Sequence, residues 1–151
     1  MHVTLNLPQF DIKTRLYKEQ HQIYDTIRKK YVALTPEEWV RQHFVNYLIV
    51  HRGYPAGLIN IEFAVTVNGM LQRADIVAYA RSGKPILVVE CKAPVVKLDT
   101  ETFSQAARYN LSLKASYLVV TNGIKHYCSR VDLQSKQFKS IPEVPLFSQI
   151  G

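Results

Sequence analysis

Alternating apolar and polar positions mark the middle of the chain, where the segments ADIVAYA and PILVVECKA flank a short polar stretch. Both segments are rich in β-branched and aromatic residues and are bounded by Gly or Pro, which predicts two strands joined by a tight turn. Because side chains in a strand alternate between faces, Glu90 and Lys92 share one face of the second strand. A two-residue turn at Ser82-Gly83 would set Asp75 opposite Glu90. A turn at Gly83-Lys84 would set it opposite Lys92.

Either register gathers Asp75, Glu90 and Lys92 on one face of the sheet. Two carboxylates about 5 Å apart repel by roughly 3 kcal/mol at an effective dielectric constant of about 20, which exceeds the roughly 1 kcal/mol range of strand propensity. A positive charge is therefore expected between them. Lys92 supplies one, and oxygen ligands suit a hard divalent ion such as Mg²⁺. The backbone carbonyl of Cys91 is a candidate third ligand.

A helix is predicted shortly before these strands. Thr35 is a good N-cap, Pro36 fits the first turn, and Glu38 stands three residues after the cap, as in a capping box. The helix is expected to reach about His51 and to stop at Gly53.

Residues 58–67 alternate well enough for another strand, and Asn68-Gly69 is a typical two-residue hairpin turn. This turn would place Glu62 opposite Asp75. Glu62 is then either an auxiliary acid of the same site or the ion-pair partner of Arg73.

A second helix is expected to begin at Asp99 or Thr100 and to reach about Lys114. Gln105 and Tyr109 are four residues apart and therefore share one face of it.

The two ends of the chain have weaker patterns. Residues 10–24 suggest a hairpin whose polar turn is at 20–22, and the basic run 28–30 fits either phosphate contacts or a solvated segment. Residues 116–121 and 124–130 suggest a second hairpin around Asn122-Gly123, and the tail from residue 136 is expected to be extended over the surface.

Composition favours one globular domain spanning residues 1–151, since 47% of the residues are hydrophobic. The formal net charge of +7 favours a polyanionic partner such as nucleic acid. No apolar run approaches a membrane span and the start does not resemble a signal peptide, so a cytoplasmic protein is expected. The two cysteines, Cys91 and Cys128, are expected to be reduced thiols.

Asp75 followed by Glu90-Cys91-Lys92 resembles the motif of the PD-(D/E)xK nuclease superfamily, although Ala74 stands where the motif name has Pro. Gln105 and Tyr109 resemble the Gln-x-x-x-Tyr helix motif of some of its branches. The wider run of residues 24–127 resembles the N-terminal nuclease domain of type I restriction enzyme R subunits.

This resemblance implies an α/β fold with a restriction-endonuclease-like αβββαβ core over about residues 35–130. The core would be a mixed sheet flanked by helices, with N-terminal and C-terminal hairpin additions. The resemblance also implies site residues. The expected catalytic residues are Asp75, Glu90, Lys92 and Gln105, the auxiliary ones are Glu38, Tyr109 and Glu62, and the metal ligands are Asp75, Glu90 and the Cys91 carbonyl. For Glu38, the capping-box role explains the residue without catalysis and stays the alternative.

The function implied is that of a Mg²⁺-dependent DNA endonuclease, with Mn²⁺ able to substitute. The chain has no G-x-x-x-x-G-K-[ST] loop, so motor, methyltransferase and specificity functions would have to come from other subunits or from a longer protein. Two alternatives stay open: a nucleic-acid-binding module that does not cut, and a repair or junction-resolving nuclease.

Overall fold

A computed structural model describes residues 2–151, apart from the side chains of Val65, Val67 and Gln72. It contains two sheets and three α-helices. The N-terminal sheet has the order β1-β2-β3, with strands β1 Thr14–Tyr17, β2 Gln20–Asp25 and β3 Lys30–Ala33. The main sheet has the order β4-β5-β6-β7-β8-β9, with strands β4 Ile59–Val67, β5 Met70–Tyr79, β6 Pro85–Cys91, β7 Tyr117–Thr121, β8 His126–Asp132 and β9 Gln137–Ile141. The helices are α1 Pro36–Asn46, α2 Thr100–Leu113 and α3 Phe147–Ile150.

The main sheet is mixed, as predicted. Strands β6 and β7 are parallel and are connected by α2, whereas its other neighbouring strands pair antiparallel. A parallel pair needs a crossover, and a helix is the usual one. The order α1, β4, β5, β6, α2, β7 is the expected αβββαβ core.

Each face of the main sheet has its own apolar core, which confirms helices on both sides. Helix α1 contributes Val40 and Phe44 to a cluster that contains Leu87 and Val89 of β6. Helix α2 contributes Ala106 to a second cluster that contains Val88 of β6. Successive residues of β6 thus point to opposite cores, which explains why this strand reads as a continuous apolar run.

The turn between β5 and β6 differs from both predicted placements. The Gly83 N–H donates to the Ala80 carbonyl at 2.9 Å, and the Ala80 N–H donates to the Lys84 carbonyl at 2.8 Å. The loop therefore has three residues, with Gly83 in the left-handed region at φ +91°.

The register at the other end of this hairpin is nevertheless the first of the two predicted. A one-residue irregularity between Ala78 and Tyr79 shifts the pairing so that Ile76 lies opposite Val89. The next position in this register sets Asp75 opposite Glu90. The irregularity compensates for the extra loop residue.

The N-terminal region has three strands where a hairpin was predicted. The first turn lies at Lys18 and Glu19, both in the left-handed region, so the expected turn at residues 20–22 is wrong and those residues belong to β2. The return strand continues through a second turn into β3, which runs directly into α1.

The C-terminal tail is also more regular than expected. Strand β9 pairs with β8 and extends the main sheet by one strand, and α3 follows it. Thr121 pairs with His126 and the Asn122 N–H donates to the Lys125 carbonyl at 3.2 Å, so the turn after β7 lies at Gly123-Ile124, one residue later than predicted. Within residues 2–151, every helix is too short or too polar to cross a membrane.

The first helix begins where it was predicted, but the last turn of the predicted helix is not α-helical. Thr35 is the N-cap of α1, and the turn after α1, Tyr47–His51, is π-helical. A short 3₁₀ turn, Ala56–Leu58, then leads into β4. The second helix has the predicted Asp99 cap and ends at Lys114.

Candidate active site

Asp75 lies buried where β5 and β6 separate. Ladder pairing between the two strands ends at Ile76 and Val89, so the Cys91 N–H has no partner on the β5 backbone. The Asp75 Oδ2 atom takes this place and accepts the Cys91 N–H at 2.8 Å. The carboxylate is therefore fixed by the backbone of the neighbouring strand. The Cys91 thiol lies in the core on the α1 side, and burial raises its pKa well above the usual value.

The other Asp75 oxygen is bound by an arginine of α1. Arg41 Nη2 donates to Asp75 Oδ1 at 2.7 Å, and Arg41 Nη1 donates to Glu38 Oε1 at 2.6 Å. Burial disfavours the Arg41 charge, but the negative charges of Asp75 and Glu38 outweigh it and raise the Arg41 pKa. Arg41 thus connects the helix to the strand.

Glu90 and Lys92 stand beside this pair. Lys92 Nζ lies 3.5 Å from Glu90 Oε1, while Glu90 Oε2 is buried and no donor among the described residues reaches it. Burial first, and then the negative charge of Asp75, raise the pKa of Glu90 to about 8, against the opposing charge of Lys92. The three predicted catalytic side chains are therefore close enough to influence one another.

Glu38 uses its backbone and its side chain for different purposes. Its N–H donates to Thr35 Oγ1 at 3.0 Å, which caps α1 as predicted. Its carboxylate does not return to the cap, as a full capping box requires, because it accepts hydrogen bonds from Arg28, Arg41 and Gln42. The side chain of Glu38 thus belongs to the candidate site.

Glu62 faces the same arginines. Its carboxylate lies 3.4 Å from Arg41, 3.6 Å from Arg28 and 3.5 Å from Arg73. Glu62 occupies the register position opposite Asp75, with a backbone φ of +52° in the middle of β4. The predicted pairing with Arg73 is present, and Glu62 also contacts Arg41, the partner of Asp75; its role as an auxiliary acid stays a prediction.

A cleft of about 550 Å³ opens beside these groups and is bordered by β3, α1 and β4. Its charged lining comes from Arg28, Glu37, Glu38, Arg41 and Glu62. The Glu37 carboxylate has a raised pKa, first because of burial and then because of the charge of Asp75.

The α2 residues stand apart from this network. Gln105 and Tyr109 are half-buried, and α2 packs against β4, β6 and β7. Among the described residues, neither side chain hydrogen bonds to Asp75, Glu90 or Lys92. Their expected roles, for Gln105 in orienting Lys92 or a water and for Tyr109 in contacting the nucleic-acid backbone, stay predictions.

Comparison with known proteins identifies the family of this chain. Residues 36–145 match the family model described as Type I restriction enzyme R protein N terminus. The chain belongs to this family. The match begins at the first residue of α1 and ends just before α3, so it includes α1, β4, β5 and β6 of the candidate site, whereas Arg28 and β3 lie before it.

A solved structure has a fold similar to that of this R-subunit N-terminal domain. The chain resembles a fragment of a protein assigned as an HsdR subunit of a type I restriction enzyme from Vibrio vulnificus YJ016, with 21% identity and a TM-score of 0.56. The similarity covers 78% of this chain and 24% of that one, so the present chain spans about a quarter of the relative's length. No match was found among curated proteins.

The sequence pattern of this R-subunit N-terminal domain did not identify three residues that belong to the site, which are Arg28, Glu37 and Arg41. Arg41 follows Glu38 by three residues and Glu37 by four, which is the spacing of helical ion pairs and could have indicated it. Arg28 was expected to contact phosphates or solvent. It instead donates to Asp25 and Glu38.

The side chains of the candidate site show how far it fits the expected divalent metal ion. Among the described side chains, no group of three or more His, Cys, Asp or Glu residues is arranged to hold a metal ion. Arg41 and Lys92 already supply positive charge to Asp75 and Glu90, so charge repulsion alone does not require a metal. The positive charge expected at these acids is thus present, and the metal stays a prediction. The buried, unpartnered Oε2 of Glu90 nevertheless fits a hard cation, because it is a carboxylate oxygen without a partner.

Proposed function

We propose that this chain is a Mg²⁺-dependent DNA endonuclease domain that hydrolyses phosphodiester bonds in a type I restriction system. The observation that carries the proposal is the unpartnered Glu90 Oε2 beside Asp75, with the Lys92 ammonium 3.5 Å from the other Glu90 oxygen. A buried acceptor without a donor is costly unless a ligand binds it.

The residues that would hold Mg²⁺ are Asp75, Glu90 and the carbonyl of Cys91, and Mn²⁺ can substitute. Each carboxylate oxygen has about two lone pairs, so the Asp75 oxygens can accept their present hydrogen bonds and still bind a cation. When bound, the metal activates a water and offsets charge on the scissile phosphate. Arg41 keeps the Asp75 carboxylate in place.

Lys92 acts on the charge that develops during hydrolysis. Its ammonium group stabilises the attacking hydroxide or the negative charge of the phosphorane, since a fixed cation at that point lowers the barrier. We assign Gln105 to orienting Lys92 or the water and Tyr109 to contacting the DNA backbone. Glu38 and Glu62 act as auxiliary acids through Arg41.

The direct test is Lys92→Ala, with Lys97→Ala as the matched control. Lys97 is an exposed lysine five residues further along the chain. We expect Lys92→Ala to abolish plasmid cleavage in Mg²⁺ while its urea midpoint stays unchanged, and Lys97→Ala to cleave normally. Cleavage by the folded Lys92→Ala protein at the wild-type rate would remove the proposed site.

A second candidate is a DNA-binding module that keeps the nuclease fold and does not cut. The observation that favours it is that Arg41 and the Cys91 N–H engage both oxygens of Asp75. Calorimetric titration with Mn²⁺ separates the two functions, because only the nuclease needs the metal. Comparing linear, nicked and branched DNA would separate restriction from junction resolution.

The remaining parts of a restriction complex lie outside this chain. We propose that motor, methyltransferase and specificity functions are supplied by a longer protein or by partner subunits, and that the complex acts on DNA in the cytoplasm.

A further inference from the structure

The N-terminal sheet has two unlike faces. On one face, Ile23 and Asp25 are buried, and Asp25 lies close to Gln42 of α1. The opposite face carries Arg15 and Tyr17, which are both exposed. By the strand register, this outer face also presents Gln20, Gln22, Tyr24 and Tyr31. A face of amides, aromatic rings and an arginine is unusual for a sheet that only has to fold.

Arg15 lies at the centre of the outer face. Its guanidinium carbon is 4.0 Å from the centre of the Tyr31 ring and 4.9 Å from that of Tyr17, and its Nε donates to Gln22 at 2.7 Å. The Tyr17 side chain is 49% exposed. The arrangement leaves a flat cation and an aromatic ring open to solvent. Such groups stack on nucleic-acid bases.

Positive charge is concentrated in the same part of the chain. Residues 13–31 include six basic residues and two acidic ones. One of the two acids, Asp25, is already paired with Arg28. The basic residues are Lys13, Arg15, Lys18, Arg28, Lys29 and Lys30. Arg28 is held by Asp25 and Glu38, and by register Lys30 lies on the face of the buried Asp25. The cations left to bind a phosphate backbone, which would release counterions, are the exposed Lys13, Arg15, Lys18 and Lys29.

The N-terminal sheet is also joined to the candidate active site. Arg28, in the turn between β2 and β3, donates to Glu38 at 2.7 Å. Val32 and Ala33 of β3 border the cleft that contains Glu38 and Arg41. A strand bound on the outer face would thus be held near the cleft.

We propose that the outer face of the N-terminal sheet binds an unpaired stretch of DNA strand next to the cleavage site. The inference extends the proposed nuclease function to the form of its substrate. Unpaired bases expose the faces that Tyr17 and Arg15 can stack on, whereas a duplex hides them. The surrounding lysines bind the phosphates.

The test is the double variant Arg15→Gln with Tyr17→Ser. Its matched control is Arg130→Gln with Tyr127→Ser, which removes the same residue types from β8 of the main sheet. Tyr127 is 48% exposed, nearly the same as Tyr17. Binding of a labelled oligo(dT) is measured by fluorescence anisotropy in EDTA, so that cleavage plays no part. Urea midpoints verify that both variants fold.

We expect the Arg15→Gln, Tyr17→Ser variant to bind oligo(dT) about tenfold more weakly, with a shallower salt dependence, and the control to bind as wild type. Tyr17→Phe keeps the ring and should retain the affinity. Wild-type affinity in the double variant, or an equal loss for duplex and oligo(dT), would overturn the proposal. Because these measurements need neither metal nor cleavage, they are independent of the Lys92→Ala result.

Discussion

Arg41 and Asp75 form an ion pair between α1 and β5, with 2.7 Å between Arg41 Nη2 and Asp75 Oδ1. Only 6% of the Arg41 side chain and 9% of the Asp75 side chain are exposed. Removing one partner of a buried pair leaves the other charge without compensation, which usually costs more than the intact pair contributes. Arg41 is thus a structural requirement of the candidate site.

Arg41→Ala should therefore destabilise the protein by about 3–5 kcal/mol in urea unfolding, because Asp75 and Glu38 lose a shared buried donor. Arg73→Ala is the control, since the Arg73 side chain is 67% exposed and should contribute less than about 1 kcal/mol through its contact with Glu62. Equal losses in the two variants would contradict the structural role of Arg41.

Substitutions distinguish the capping role of Thr35 from the hydrogen bonds of the Glu38 carboxylate. Thr35→Ala removes only the cap and should cost about 1 kcal/mol. Glu38→Ala should cost more, about 2 kcal/mol or above, because it removes the hydrogen-bond acceptor of the buried Arg41. The control is Glu37→Ala, since the Glu37 side chain is 47% exposed and its loss should be small. If Glu38→Ala costs no more than Thr35→Ala, the carboxylate has only a capping role.

Gly83→Ala should cost about 1 kcal/mol in the same assay, because its φ of +91° is unfavourable for any residue with a Cβ atom. Gly57→Ala is the control, since neither position has an atom within 4 Å of the added Cβ and only Gly83 has a positive φ. A cost at Gly57 as large as at Gly83 would rule out the backbone explanation.

Acid should weaken the protein partly through His126. Burial lowers the His126 pKa below its ordinary value of 6.5, and the ring hydrogen bonds to Thr121 and to the Asn6 carbonyl. The unfolded chain then binds more protons, so this contribution is intact above pH 6.5 and stability falls as the pH drops below it. His126→Gln should flatten the decline in unfolding free energy below that pH. An unchanged profile would contradict the role of this ring.

Metal binding should depend on Asp75 and Glu90, the two carboxylates where β5 and β6 separate. Asp75→Asn and Glu90→Gln should each weaken Mn²⁺ binding at least about tenfold in calorimetry, since each removes a charged ligand. Glu101→Gln, on the exposed first turn of α2, should leave the affinity unchanged. Wild-type affinity in both site variants would place the metal elsewhere.

Much of the fold could be predicted because local patterns decide it. The Thr35 and Asp99 caps, the Asn68-Gly69 turn and the apolar run of β6 each have a short-range physical cause, and the structure has all four. The loop at Gly83 was predicted less well. A three-residue loop and a compensating irregularity near Ala78 give the same register at Asp75 as the two-residue loop, so alternation alone cannot tell them apart.

The sequence by itself determined the order of the core elements from α1 to β7 and placed Asp75, Glu90 and Lys92 on one face in either register, because strand alternation and turn chemistry act over a few residues. Only the tertiary structure decided which arginines pair with the acidic residues of the site. Arg41 lies 34 positions before Asp75, and Arg28 reaches Glu38 from a different sheet, so their pairing depends on how α1 and the N-terminal sheet pack. In the described part of the chain, packing over such separations also left Gln105 and Tyr109 without hydrogen bonds to Asp75, Glu90 or Lys92.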